Sequence, residues 1–136
     1  MKTVEVACAI IIESNNIFVC KRKPELTLGG LWEFPGGKIN PGESSKDAII
    51  REVREELEAE IEPYEFCATV EYDYDNLGDK SFHIVLHAWY CYLIAGMLKL
   101  KDHSEGRFRS YASLKEIEFC PADKLIIETM KNKFND

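Results

Sequence analysis

The sequence predicts a mixed α/β fold in which a sheet of mixed strand directions is covered on its faces by helices. Two observations carry this: β-rich runs surround one strongly periodic helical segment in the middle of the chain, and a second helix opens at a proline near the C-terminus. With 136 residues, 46% of them hydrophobic, the chain suits a single domain spanning 1–136, because domains commonly run to roughly 100–150 residues.

Residues 4–12 and 17–20 are apolar and β-branched and read as strands, with Ser14, Asn15 and Asn16 forming the hairpin turn between them. The following stretch, LGGLWEFPGGKINPGE, is too punctuated by Gly and Pro for a long element and too apolar for a linker. From Ser44 to about Ala59 the period becomes helical. Ile49, Val53 and Leu57 recur every four residues, Ile50 widens the stripe, and Ser44 or Ser45 caps the start with Asp47 near the positive end. Residues 61–72 and 81–94 read as strands around a turn at Asn76-Leu77-Gly78-Asp79, with Phe82, Ile84, Leu86, Ala88 and Tyr90 alternating onto one face. Residues 112–117 suggest a short helical turn, and Pro121 starts a terminal helix reaching about Lys133.

Composition excludes several classes of function. A net charge of −7 and a pI near 5.0 oppose broad nucleic-acid binding, which needs a basic surface to displace counterions. No basic-then-apolar leader and no run of about 18 apolar residues occurs, so the expectation is a cytoplasmic protein without a membrane partner. Five scattered cysteines, without a close pair, read as reduced core residues. A monomer or a homodimer suits so small a domain.

The stretch REVREELEAE, residues 51–60, carries five glutamates. At about 100° per residue, Glu52, Glu55 and Glu56 fall together beside the apolar stripe, while Arg51, Arg54 and Glu58 point elsewhere. Like charges at such spacing repel, so something outside the helix must compensate them. A hard divalent cation with oxygen ligands, Mg²⁺ or alternatively Mn²⁺, is the natural candidate. The glycines before the helix permit close backbone approach to a ligand.

Reading from Gly37, the chain has five residues, Glu43, seven residues, and then Arg51-Glu52-Val53-Arg54-Glu55-Glu56. This pattern resembles the box of the Nudix hydrolase superfamily, and LWEFPGGK at 31–38 resembles its MutT-like branch. The resemblance implies a Nudix α/β/α sandwich with a mixed β-sheet and a Mg²⁺-dependent pyrophosphohydrolase of nucleoside diphosphate derivatives. Carried over by position, Glu52, Glu55 and Glu56 with the Gly37 carbonyl are metal ligands, and Glu43 pairs with Arg51 to hold loop against helix. Arg22 and Lys38 match phosphate-binding positions. Glu58 stands where the box usually has Gly, which puts the end of the helix in question.

For chemistry, Glu52 or Glu56 is the candidate general base, and Glu105 in DHSEGRF, with Asp102 competing, is the candidate for an additional acid on a late loop. A nucleoside triphosphate would give the monophosphate and pyrophosphate. Asp123, in Pro121-Ala122-Asp123, matches the position that reads the base edge, and an ionised Asp only accepts hydrogen bonds. That favours (d)CTP or a 5-substituted dCTP, with 8-oxo-dGTP as the alternative. A further diphosphate such as ADP-ribose, or a non-catalytic binding module, are rival readings. Phe34 is the aromatic candidate for stacking on the base, with Trp32, Phe82 and Trp89 alongside it.

Overall fold

The computed structural model describes residues 1–134. Seven strands and two helices follow in order β1 (Lys2–Glu13), β2 (Asn16–Arg22), β3 (Trp32–Glu33), β4 (Gly36–Lys38), α1 (Ser45–Leu57), β5 (Ala59–Tyr74), β6 (Phe82–Gly96), β7 (His103–Ser110) and α2 (Pro121–Phe134). The sheet runs β3-β2-β1-β6-β5, with β4 also pairing β1 and β7 also pairing β2. Only the β1–β6 pairing among these is parallel.

Ala7, Cys8, Ala9, Ile10 and Ile11 are all buried, as expected of a strand with both faces covered. Alternation sorts them. Ala7, Ala9 and Ile11 join Phe18, Cys20 and the α1 stripe of Ala48, Ile49, Val53 and Leu57. Cys8 and Ile10 face the other way, with Ile17, Val19, Leu86, Ala88 and Tyr90, against Ala122, Ile126 and Met130 of α2. The result is the three-layer α/β/α arrangement that the sequence suggested.

Several boundaries differ from the sequence-based expectation. The first hairpin turn holds only Ser14 and Asn15, both at positive φ, while Asn16 already pairs with Glu13. Such a two-residue turn matches the twist of its strands. The acid-bearing helix begins at its Ser44 cap, whose hydroxyl accepts from Asp47 N–H. It stops after Leu57 because Glu58 itself adopts the left-handed conformation a glycine would take, φ 50 and ψ 43. Lys101 at 2.9 Å and Lys99 at 3.8 Å neutralise the Glu58 carboxylate, and Lys99 N–H donates to the Leu57 carbonyl. The missing glycine therefore leaves the helix end in place.

The expected late loop is largely a strand. HSEGRFRS forms β7 along β2, pairing Lys21 with Glu105 and Arg22 with His103. The segment alternates too little to announce itself; backbone pairing to a buried neighbour makes the strand.

Candidate active site

A cleft of about 880 Å³ opens between the β1/β6 surface, the segment 22–28 and the loop before β7. Arg22, Glu33, Gly37, Lys38, Glu56 and Asp123 all line it. Strand pairing makes it: β4 lies against β1 with Gly37 opposite Ala7, and β3 lies against β2 with Glu33 opposite Cys20.

The α1 acids sit where β4 meets the helix. A Cβ on Gly37 would stand 2.5 Å from the Glu52 carboxylate, so glycine is what lets this backbone approach the acid. Arg51 clasps Glu43 through Nε to Oε2 (2.8 Å) and Nη2 to Oε1 (2.9 Å), and also donates to the Lys38 carbonyl. The Arg51 bonds, followed by the Asn40 N–H, hold the Glu43 carboxyl down at about 2. Loop and helix are thereby tied together.

The same Arg51 does not point away from the acids, as the helical projection suggested. Its Nη1 reaches Glu52 at 2.8 Å and Glu55 at 3.1 Å. Long side chains sweep well beyond the direction of their Cβ, and attraction draws this one onto the carboxylates. With Arg51 in that position, Glu52, Glu55 and Glu56 do not converge as a ready ligand group among the described residues.

Glu56 is the exceptional member. Burial, then the charges of Glu52, Glu33 and Asp102, raise its carboxyl to about 8, with a Gly36 N–H pulling the other way. Its Oε1 is buried without a hydrogen-bond partner among the described residues. A buried, partnerless carboxylate oxygen, an all-oxygen donor set and the glycine cradle beside Glu52 fit a hard divalent cation.

Around the other side of the cleft, Asp123 is 7% exposed. Its Oδ2 accepts the Phe34 N–H at 3.0 Å, and the neighbouring Ala122 N–H donates to the Tyr74 hydroxyl at 3.0 Å. Burial first, then the Glu33 charge, push the Asp123 carboxyl well above its usual range. This direction favours the neutral form, which offers one donor and one acceptor, over the acceptor-only ion considered from the sequence.

Arg22 donates Nε to the Thr27 carbonyl at 2.8 Å and Nη1 to both Glu33 oxygens at 3.3 Å. Lys38 is exposed at the cleft rim. Two expected residues do not play the parts the sequence suggested. Glu105 pairs with Lys21 and Arg107 on β7 and does not line the cleft; Asp102, which lines it and raises Glu56, is the late acid that reaches the site. Phe34 borders the cleft but is only 2% exposed and packs on Phe119, leaving Phe82, half-buried beside Tyr74, as the open aromatic face. Trp32 is covered by the core and by Arg107, and Trp89 lies on the α1 side of the sheet.

The sequence reading passed over Glu33 and His103. Glu33 sits inside the quoted LWEFPGGK, where an acid flanked by Trp and Phe on a buried strand was signal enough. His103 had no local signal; β2 brings it to Glu33 from 70 positions away.

Comparison with known proteins agrees with this geometry. The NUDIX domain model matches residues 1–135. The chain is 34% identical over 128 residues to the CTP pyrophosphohydrolase of Escherichia coli K12, covering 94% of this chain and 91% of that one. It is 30% identical over 132 residues to the 8-oxo-dGTP diphosphatase of the same organism, covering 96% and 98%. Among solved structures, that of the E. coli ORF135 protein superposes with a TM-score of 0.78 at 32% identity, covering 97% of this chain and 91% of that one. A MutT NUDIX hydrolase from Burkholderia pseudomallei shares the fold, with a TM-score of 0.81 at 21% identity and coverage of 95% and 98%.

Proposed function

The chain belongs to the NUDIX domain family of hydrolases, and from that premise we propose that it is a Mg²⁺-dependent nucleoside triphosphate pyrophosphohydrolase with a preference for cytosine nucleotides. Glu52, Glu55, Glu56 and the Gly37 carbonyl would hold the metal, which supplies charge neutralisation on the phosphates and acidifies a water. Mn²⁺ suits the same oxygen donors.

The chain's own groups do the rest. Arg22 and Lys38 at the cleft rim bind phosphate oxygens. Glu52 or Glu56 accepts the proton of the attacking water. Arg51 fixes one Glu52 oxygen at 2.8 Å, and Glu56 holds a buried Oε1 without a hydrogen-bond partner among the described residues. Hydrolysis of the anhydride between the α- and β-phosphorus yields the monophosphate and pyrophosphate.

One observation carries the base preference: the buried Asp123 carboxyl, with Oδ2 anchored by Phe34 N–H. A neutral carboxyl accepts from the cytosine amino group and donates to its ring nitrogen, a two-bond match to one edge. The apolar wall of Phe82, Ile84 and Leu86 lies in the same cleft and accommodates the ring. A second reading, 8-oxo-dGTP, draws on Glu33 as a second acid close enough to raise Asp123, because a guanine edge presents two donors. The names of the similar E. coli proteins are compatible with either base.

Product analysis tests the reaction class. Incubation of dCTP with Mg²⁺ should give dCMP and pyrophosphate in equal amounts, and both E52Q and E56Q should lower kcat by about 10² or more. Release of dCDP and inorganic phosphate would contradict the proposed cleavage. No turnover of any diphosphate, with metal and nucleotide still bound, would make the chain a binding module.

A further inference from the structure

We propose that His103 is a positioning residue: by holding Glu33, it keeps the Arg22 guanidinium available to the phosphates of the substrate. The inference rests on the pyrophosphohydrolase reading above.

β3 and β7 both pair with β2, which brings Glu33 and His103 together in the cleft wall. The His103 side chain is 4% exposed, and its Nε2 lies 2.9 Å from Glu33 Oε2. Its Nδ1 is buried with no partner among the described residues. Among the described residues, the bond to Glu33 is therefore the ring's one side-chain anchor. A carboxylate can only accept, so Nε2 carries the proton in this bond.

Glu33 needs that donor. It lines the same cleft as Glu56 and Asp123 and raises the carboxyls of both, a crowding of acids that calls for compensation. Two side chains supply it unequally. His103 bonds at 2.9 Å, whereas Arg22 Nη1 stands 3.3 Å from each oxygen. Charge-assisted bonds ordinarily close to about 2.7–2.9 Å, so Arg22 is held loosely by Glu33. Its firm anchor is the Thr27 carbonyl, 2.8 Å from Nε. Arg22 Nη2 donates no hydrogen bond among the described residues.

Removing the His103 donor leaves Glu33 with Arg22 as its remaining partner in a sheltered site. The guanidinium then closes onto the carboxylate in a bidentate pair, and donors otherwise available to a triphosphate are consumed. The consequence is weaker substrate binding with little change in the chemical step, because no group at the reacting phosphorus has moved.

Steady-state kinetics with dCTP and Mg²⁺ test this on H103L, H103Q, E33Q/H103L and H103L in an R22A background. H103L should raise KM about tenfold with kcat within about threefold of wild type, the signature of lost ground-state binding. H103Q, whose amide nitrogen replaces Nε2–H, should bring KM back to within about threefold of wild type. E33Q should suppress H103L, since a neutral amide in place of the Glu33 carboxylate no longer captures Arg22. In the R22A background, H103L should add nothing further to KM. If H103L does not fold, H103N, polar but too short to reach Glu33, carries the same expectation.

Unchanged KM in H103L and H103N overturns the inference, and so does a defect that H103Q shares, that E33Q fails to suppress or that adds to R22A. In those cases wild-type activity leaves the functional reading standing. A wild-type protein that hydrolyses no nucleoside triphosphate overturns both.

Discussion

Replacing Glu56 with Gln keeps the shape of the side chain and removes its titration, so it isolates the buried acid of α1. In the native protein the Glu56 carboxyl lies near 8, against 4.5 as its ordinary value. Between those pH values the native state holds a proton that the unfolded chain has released. The stability contributed by that proton is complete below about pH 4.5 and is lost as pH rises through about 8. At about 1.4 kcal/mol per pH unit, the span amounts to on the order of 5 kcal/mol at pH 9. The variant has no such loss. Urea unfolding of both proteins in EDTA at pH 5, 7 and 9 should show E56Q gaining on wild type by several kcal/mol across the series, whatever their offset at pH 5. Saturating Mg²⁺ should then stabilise wild type, increasingly with pH, because the metal competes with the proton, and should stabilise E56Q much less. A stability difference that stays flat from pH 5 to 9 would refute the reasoning that burial and neighbouring acids keep Glu56 protonated.

G37A places a Cβ against the Glu52 carboxylate that Arg51 holds; it should displace that carboxylate and raise the Mg²⁺ concentration for half-maximal activity by about tenfold or more. D123A should lower kcat/KM for dCTP by about 10–100-fold, whereas D123N, which also pairs an acceptor with a donor, should stay within about tenfold of wild type; equal loss in both would argue for an ionised Asp123. Y74F removes the acceptor of the buried Ala122 N–H and should cost about 1–3 kcal/mol in denaturant unfolding. E58G relieves a left-handed backbone and should raise Tm, while deleting the Lys101 and Lys99 pairs and so flattening the salt dependence; a fall in Tm would mean those pairs outweigh the backbone strain.

The parts of this site that were legible in the sequence are those encoded within one element. Ile49, Val53 and Leu57 reveal a helix by period, and the same period puts Glu52, Glu55 and Glu56 side by side. The spacing from Gly37 through Glu43 to Arg51 is local enough to read as one unit. What sequence reading missed depends on strand pairing. Glu33 and His103 meet only because β3 and β7 both flank β2, and no periodicity spans that distance. HSEGRFRS looked like a loop because its polar residues hide a strand made by pairing with β2, which carried Glu105 away to Lys21 and left Asp102 at the cleft. Arg51 was misplaced for another reason: a wheel projects Cβ directions, and a guanidinium follows the nearest carboxylates. The upward push on the Asp123 carboxyl comes from burial and from Glu33, neither of which a single sequence position expresses.

The measurement that bears most directly on the whole account is kcat/KM for pyrophosphate release, with Mg²⁺, across dCTP, 5-methyl-dCTP, CTP, 8-oxo-dGTP, dGTP and ADP-ribose. A cytosine nucleotide should lead the series, and ADP-ribose should be turned over poorly. Preference for 8-oxo-dGTP would contradict the two-bond reading of Asp123 in favour of Glu33 as a second acceptor, and preference for ADP-ribose would contradict the triphosphate assignment itself.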